Sequence, residues 1–157
     1  MKKVTNQIQM KYYKRDGCRF VQVKSLKGMF YNNDGTFTEK EVDKSIGICV
    51  HDDFEETIIA SLSISKNPAP YDVAKSACRA AFPFGEGHVP TSYELLMLKN
   101  ISNAKFKYHN CYLWVSDHCF NGSGAYCLCF GNDIHTMYYT YKNYNKFNVI
   151  PFFTIKK

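Results

Sequence analysis

Two helical segments follow one another in the middle of this chain, and every other patterned stretch reads as strand or turn. The first is predicted over residues 71–81, where Val73, Ala74, Ala77, Cys78 and Ala81 recur at helical spacing and are small enough for close packing. Asn67-Pro68-Ala69-Pro70 stops whatever precedes it, and Phe82-Pro83-Phe84-Gly85-Glu86-Gly87 breaks it. The second starts at Thr91. Thr91-Ser92-Tyr93-Glu94 has the spacing of a capping box: the Thr hydroxyl takes the Glu94 amide and the Glu carboxylate reaches back. Leu95, Leu98 and Ile101 supply its apolar face, helped by Leu96 or Met97.

On either side the pattern is β. Phe20, Val21, Val23 and Leu26 fit one or two short strands, with Gly17 and Gly28 at turns. Asn33-Asp34-Gly35-Thr36 reads as a hairpin tip, because Asp-Gly favours positive φ at the glycine. Residues 46–50 and 57–64 read as buried strands joined by an exposed acidic connection at 52–56. After the helices, 112–116 and 125–130 read as strands, 121–124 as a loop and Gly131-Asn132-Asp133 as a turn. A last strand is expected at 148–155, with Pro151 placing it at an edge or a bulge. Strands, two helices, then strands is an α+β order, not the alternation of a parallel α/β sheet.

Length and composition set the remaining bounds. A chain of 157 residues with 45% hydrophobic content fits one domain with a real core. No apolar run approaches the roughly 20 residues of a membrane span, so membrane insertion is not expected. Residues 1–14 carry basic groups but no apolar stretch, so no signal peptide is expected. The formal charge of +6 is uneven: +7 over residues 1–30, −6 over 31–65 and +5 over 66–157. A basic arm beside an acidic middle attracts nucleic acid, an acidic neighbour or the acidic segment of another copy. The basic residues form no dense run, so nucleic acid is not the expected partner. Seven cysteines, an odd number without an export signal, read as scattered free thiols.

Several of these pieces also occur together, in order, in one family. Asn33-Asp34-Gly35-Thr36, Ile46-Gly47-Ile48, Val89-Pro90-Thr91-Ser92-Tyr93-Glu94-Leu95, Leu113-Trp114-Val115-Ser116, Ala125-Tyr126-Cys127-Leu128-Cys129-Phe130-Gly131 and Val149-Ile150-Pro151-Phe152 follow its pattern. Over roughly residues 31–157 the chain resembles the C-terminal domain of the Legionella collagen-like adhesin, a family found in Bacteroidetes and their phages. Departures are Ile150, where the family usually has Arg, and the missing second Ser after Trp114. The calcium-lectin motifs Glu-Pro-Asn and Gln-Pro-Asp are absent. The resemblance implies a C-type-lectin-like fold with two helices, a small, mostly antiparallel twisted sheet and long loops. It divides the chain into a basic N-terminal arm or strands at 1–30 and the lectin-like domain at 31–157.

The candidate ligand-binding residues are Asp133, His135, Tyr138, Tyr139, Tyr141, Asn143, Tyr144 and Asn145, within a loop surface at 132–148. Tyr gives large contact area at low entropy cost and Asn gives adaptable hydrogen bonds. An aromatic face also stacks on sugar rings. The competing reading is codon bias in an AT-rich genome, with the tyrosines covering a core edge. His109, His118 and His135 either line the same side or are plain surface residues. Trp114 is expected in the core. Cys127-x-Cys129 places both thiols on one face of a strand. With Cys111, Cys119 and His118 the spacing matches no zinc finger or ribbon, so no metal is expected. No cofactor is expected either. Asp52, Asp53, Glu55 and Glu56 read as a solvated loop. Nothing assembles into a Ser/His/Asp triad, a phosphate-cradling loop or a catalytic carboxylate pair, so the chain is not expected to be an enzyme.

The resemblance therefore implies a non-catalytic binding or structural module. The expected setting is a phage virion, as a tail, fibre or head-decoration component made in the host cytoplasm. Its expected partners are other virion proteins, copies of itself, or a host surface glycan or protein. The alternative is a cytoplasmic nucleic-acid-binding protein that uses the basic arm.

Overall fold

A computed structural model describes residues 11–16, 19–101, 111–117, 124–130 and 137–157; of residues 11–16, 19–23, 130, 137 and 138 it describes the backbone alone. The apolar run at 46–50 forms the middle of the larger sheet. Strand β5 (Ser45–Asp52) lies between β3 (Phe30–Asn32) and β6 (Glu56–Ser61), with β4 (Phe37–Thr38) and β10 (Phe152–Lys156) at the two edges. All four pairings are antiparallel. A three-stranded antiparallel sheet is built from β7 (Cys111–Val115), β8 (Gly124–Phe130) and β9 (Met137–Tyr141). A separate ribbon pairs β1 (Lys11–Asp16) with β2 (Arg19–Lys24). The helices are α1 (Tyr71–Arg79) and α2 (Ser92–Lys99). The class is α+β with antiparallel sheets, in two sheets and a ribbon rather than one small sheet.

Both helices are too short to hold in isolation, so packing and capping must carry them. The capping box at α2 is complete: Glu94 N donates to Thr91 Oγ1 at 3.1 Å, and Thr91 N donates to Glu94 Oε2 at 2.7 Å. Leu95, Leu98 and Ile101 are buried, as their spacing predicts. In α1 only Ala74 and Cys78 are buried; Val73 is exposed, and the helix ends at Arg79 rather than at 81.

Three clusters fill the interior. The largest joins Ile48, Val50, Ala60, Leu95, Leu98, Leu113, Val115, Leu128, Ile150 and Phe152, drawn from both sheets and α2. Each large side chain fully buried there contributes about 1.5–3 kcal/mol. Alternation along β7 and β8 sends Trp114, Cys127 and Ala125 the other way, into a second cluster with Ala74, Cys78, Val89 and Val149. The three-stranded sheet is therefore buried on both faces at its centre. Gly47 has no room for a side chain: a Cβ there would lie 2.5 Å from Ile59 Cγ2 and 2.9 Å from the Ala60 carbonyl oxygen. Gly35, at the β3–β4 tip, has a φ of +82°, as Asp-Gly predicts.

Three expectations need correction. The last strand is shorter than 148–155: Asn148 makes a parallel bridge to Leu113, the carbonyls of Val149 and Pro151 accept from Ser65 N and Ser61 N, and β10 begins only at Phe152. Pro151 thus stands just before an edge strand. The acidic connection at 52–56 is not a solvated loop throughout. Asp52 ends β5 with its carboxylate buried, accepting from Leu26 N (2.8 Å), Thr57 Oγ1 (2.7 Å) and Lys157 Nζ (2.6 Å). The β5–β6 register shifts between Cys49 and His51, and in the turn Asp53 accepts from Glu55 N and Glu56 N. Finally, the loop surface at 132–148 contains β9, because Met-Tyr-Tyr-Thr-Tyr is strong strand sequence and β8 offers it an edge.

Candidate functional site

Strand alternation sorts the tyrosines of 137–141 before any ligand is considered. Tyr139 and Tyr141 sit at alternate positions on one face, and Tyr138 and Thr140 on the other. On β8, Tyr126 pairs with Tyr139 and Gly124 pairs with Tyr141. The Tyr126 and Tyr139 rings meet edge to face at 5.7 Å. Tyr139 also lies across Gly124: a Cβ there would stand 2.2 Å from its ring. A glycine at this position is what lets the ring lie flat on the strand.

After β9 the chain turns at 142–144 and carries the row outward. Tyr144 meets Tyr141 edge to face at 6.3 Å. Asn145 holds the turn, with its N–H donating to the Tyr141 carbonyl at 3.3 Å and its side-chain amide donating to Thr140 Oγ1. The base is tied to the body by Tyr71 N donating to the Lys142 carbonyl (3.1 Å) and by the bridge between Ala69 and Phe147. Lys142 Nζ lies 5.5 Å from the centre of the Tyr71 ring.

Four rings thus run from core to solvent. Tyr126 packs against the main cluster; Tyr139 is 43% exposed, Tyr141 60% and Tyr144 84%. The gradient decides what the row can do. Its inner pair is tied to the core, and its outer pair offers ring edges and phenol groups to a partner. Two neighbouring amides differ in what they offer: Asn143 is exposed, whereas the Asn145 side chain is already engaged by Thr140.

Of the residues singled out in the sequence, Tyr139, Tyr141, Asn143, Tyr144 and Asn145 come together here. Tyr138 is placed by its backbone opposite Cys127. Asp133 and His135 lie outside the described residues, as do His109, His118 and Cys119. Tyr126 and Gly124 were not singled out. Their signal was the alternation of 124, 126 and 128, legible once β8 is known to neighbour β9.

Other polar groups are committed to the fold. Burial would raise the Glu94 carboxyl, but hydrogen bonds from His88 Nε2 (2.8 Å) and from Thr91 outweigh it and hold it below the ordinary range. Asp117 accepts from Ser92 N and Oγ at 2.7 and 2.8 Å and so supports the start of α2. Cys49 and Cys78 are buried, and burial pushes both thiols up to about 12. Trp114 is fully buried, as its motif position predicts. Cys127 and Cys129 share a strand face, and the five described cysteines form no disulfide with one another. Among the described residues no three His, Cys, Asp or Glu side chains come together as a metal site, and no helix is long and apolar enough to cross a membrane. No protein-family model matches the chain, and no curated protein matches it significantly.

Proposed function

We propose that this chain is a non-catalytic binding module of C-type-lectin-like architecture, carried as a tail, fibre or head-decoration component of a phage virion. The observation that carries the reading is the tyrosine row from Tyr126 to Tyr144, anchored at one end in the core and open at the other. A rigid scaffold that displays a graded aromatic surface is suited to recognition rather than to chemistry. The motif positions support the architecture by the work they do. Gly47 admits β6 closely, Thr91 and Glu94 cap α2, Trp114 joins the second cluster, and Val149 to Phe152 lead the chain back onto the larger sheet. Ile150 is fully buried, so an Arg would have no place there. The partners proposed are other virion proteins or copies of the chain on one side, and a host surface glycan or protein at the tyrosine row.

The test is recovery of the tagged chain from infected cells at physiological salt, with co-purifying proteins identified by mass spectrometry. Portal, tail or capsid proteins are the expected company. Recovery without any of them overturns the virion setting. Host-cell binding by the purified chain, lost in Tyr141→Ala/Tyr144→Ala at unchanged folding, tests the surface separately.

A further inference from the structure

The β1–β2 ribbon stands apart in what it pairs with. Among the described residues its strands hydrogen-bond to each other and join neither larger sheet. A lone two-stranded ribbon is marginal in water and gains from a partner. Its described ties to the body are at its base: Lys24 Nζ donates to Glu39 at 3.0 Å, and just beyond the ribbon Leu26 N donates to Asp52.

The register shows why neither face suits a core. Lys11 opposite Lys24, Tyr13 opposite Gln22 and Arg15 opposite Phe20 are positions on one face. Tyr12 opposite Val23, Lys14 opposite Val21 and Asp16 opposite Arg19 are positions on the other. Both faces mix apolar and charged positions, so neither is the apolar surface that a second layer buries. Both carry cations: Lys11 and Arg15 on one, Lys14 and Arg19 on the other, with Asp16 the one acid in the two strands.

We propose that this ribbon binds duplex nucleic acid, lying in the major groove with its Lys11/Arg15 face toward one phosphate wall and its Lys14/Arg19 face toward the other. This does not depend on the virion reading. A two-stranded ribbon is one of the two elements that a groove about 12 Å wide admits. Six-residue strands span about 20 Å, long enough to follow several phosphates. A groove engages both charged faces, whereas a flat acidic protein or membrane surface engages one. A second copy is the poorer occupant. Four of the eight acids in its middle are already matched by lysines within its own chain, Asp34 by Lys44, Glu39 by Lys24, Asp52 by Lys157 and Glu56 by Lys156. Ribbon against ribbon would oppose like charges.

The test is fluorescence anisotropy of a labelled mixed-sequence 20-base-pair duplex, titrated with the full chain between 50 and 200 mM NaCl. Four phosphate contacts predict a log–log salt slope near −3.6, hence a loss of about 100-fold over that range. Lys14→Glu/Arg15→Glu, one reversal on each face, is expected to weaken binding more than about 30-fold and flatten the slope. Lys66→Glu/Lys75→Glu, an equal charge change at exposed positions elsewhere, is expected to stay within about twofold. Should the reversals disturb folding, Lys14→Gln/Arg15→Gln removes the same charges and is read the same way. The proposal is overturned by absence of binding at about 100 μM chain and 50 mM NaCl, or by equal losses in the two reversal variants. It is equally overturned by tighter binding to single-stranded DNA or to phosphatidylserine vesicles than to the duplex.

Discussion

The two larger sheets use aromatic rings in opposite ways. On the five-stranded sheet, Tyr31 is 3% exposed and packs 5.1 Å from Phe37 and 6.4 Å from Phe153, which stacks on Phe82 at 5.3 Å. Burial, helped by the charge of Asp34, pushes its phenol upward. On the three-stranded sheet the rings of Tyr139, Tyr141 and Tyr144 become more exposed with each step. Residue type does not separate the two groups, and neither does strand propensity. For the tyrosines, position in the sheet does: β3 lies between β4 and β5, whereas β9 is last in its sheet and, of the row, Tyr126, one strand inward, packs against the core. A tyrosine is structural or available according to how many strands separate it from the cluster its face covers.

The contrast breaks most completely at Trp114. It fills the second-cluster side of the three-stranded sheet, edge-on to Tyr71 at 5.5 Å and Phe147 at 4.8 Å, with its indole N–H donating to the Ala69 carbonyl at 2.7 Å. Trp114→Ala is expected to cost about 3–5 kcal/mol in urea denaturation, enough to unfold a marginal domain. Trp114→Phe keeps a ring but leaves the Ala69 carbonyl without that donor, and is expected to cost less. Equal losses would mean that the indole bond, which both variants lose, and not packing around the ring, holds the tyrosine turn to the body. Next in size is Gly47→Ala on the other sheet. The clash falls on Ile59 and on the Ala60 backbone, so the strands must separate slightly, at about 1–3 kcal/mol. A variant as stable as the wild type would show that the larger sheet is the more compliant of the two.

Much of this arrangement was legible in the chain. The α2 capping box, the Asp-Gly tip at Gly35 and the buried runs of β5 and β6 are local signals, and each is found where its residues predict, except that β6 ends at Ser61 rather than at 64. What failed depended on neighbours distant in sequence. Val73 reads as part of an apolar helix face, but only Ala74 and Cys78 meet the second cluster. Asp52 reads as solvated, yet Leu26, Thr57 and Lys157 converge on it from three segments. The tyrosines at 138–144 read as loop because nothing in them says that β8 lies alongside. The basic residues at 11–24 look sparse in a line, and pairing β1 with β2 is what brings them together on one ribbon.

A smaller effect, and one that turns on pH, is expected at the helix that both sheets share. Glu94 is buried, and its carboxylate holds His88 and Thr91. Because its folded pKa lies below its ordinary value, it contributes stability that is present above that value and is lost as pH falls through the folded one. Glu94→Gln should therefore cost about 1 kcal/mol at pH 7 and progressively less below about pH 4.5. Asp53, whose pKa is lowered to about 2 chiefly by the Glu56 amide, keeps an acid-sensitive term in both chains. The quantity to follow is thus the difference in urea midpoint between wild type and variant from pH 7 to pH 3. A difference that stays constant with pH would place the contribution of Glu94 in packing and not in charge.

The smallest effect on stability is expected where the effect on binding is largest. Tyr144 is 84% exposed, and its one described ring contact is Tyr141, itself 60% exposed. Tyr144→Ala should change stability by less than about 0.5 kcal/mol. Tyr139→Ala should cost more, about 1–2 kcal/mol, since that ring covers Gly124 and meets Tyr126. Thermal melts of the two variants therefore grade the row from its anchored end to its open end. If Tyr144→Ala destabilised as much as Tyr139→Ala, the outer rings would be holding the 142–144 turn in place. The row would then be a support for that turn, and the surface proposed for a host partner would have to be sought elsewhere on the molecule.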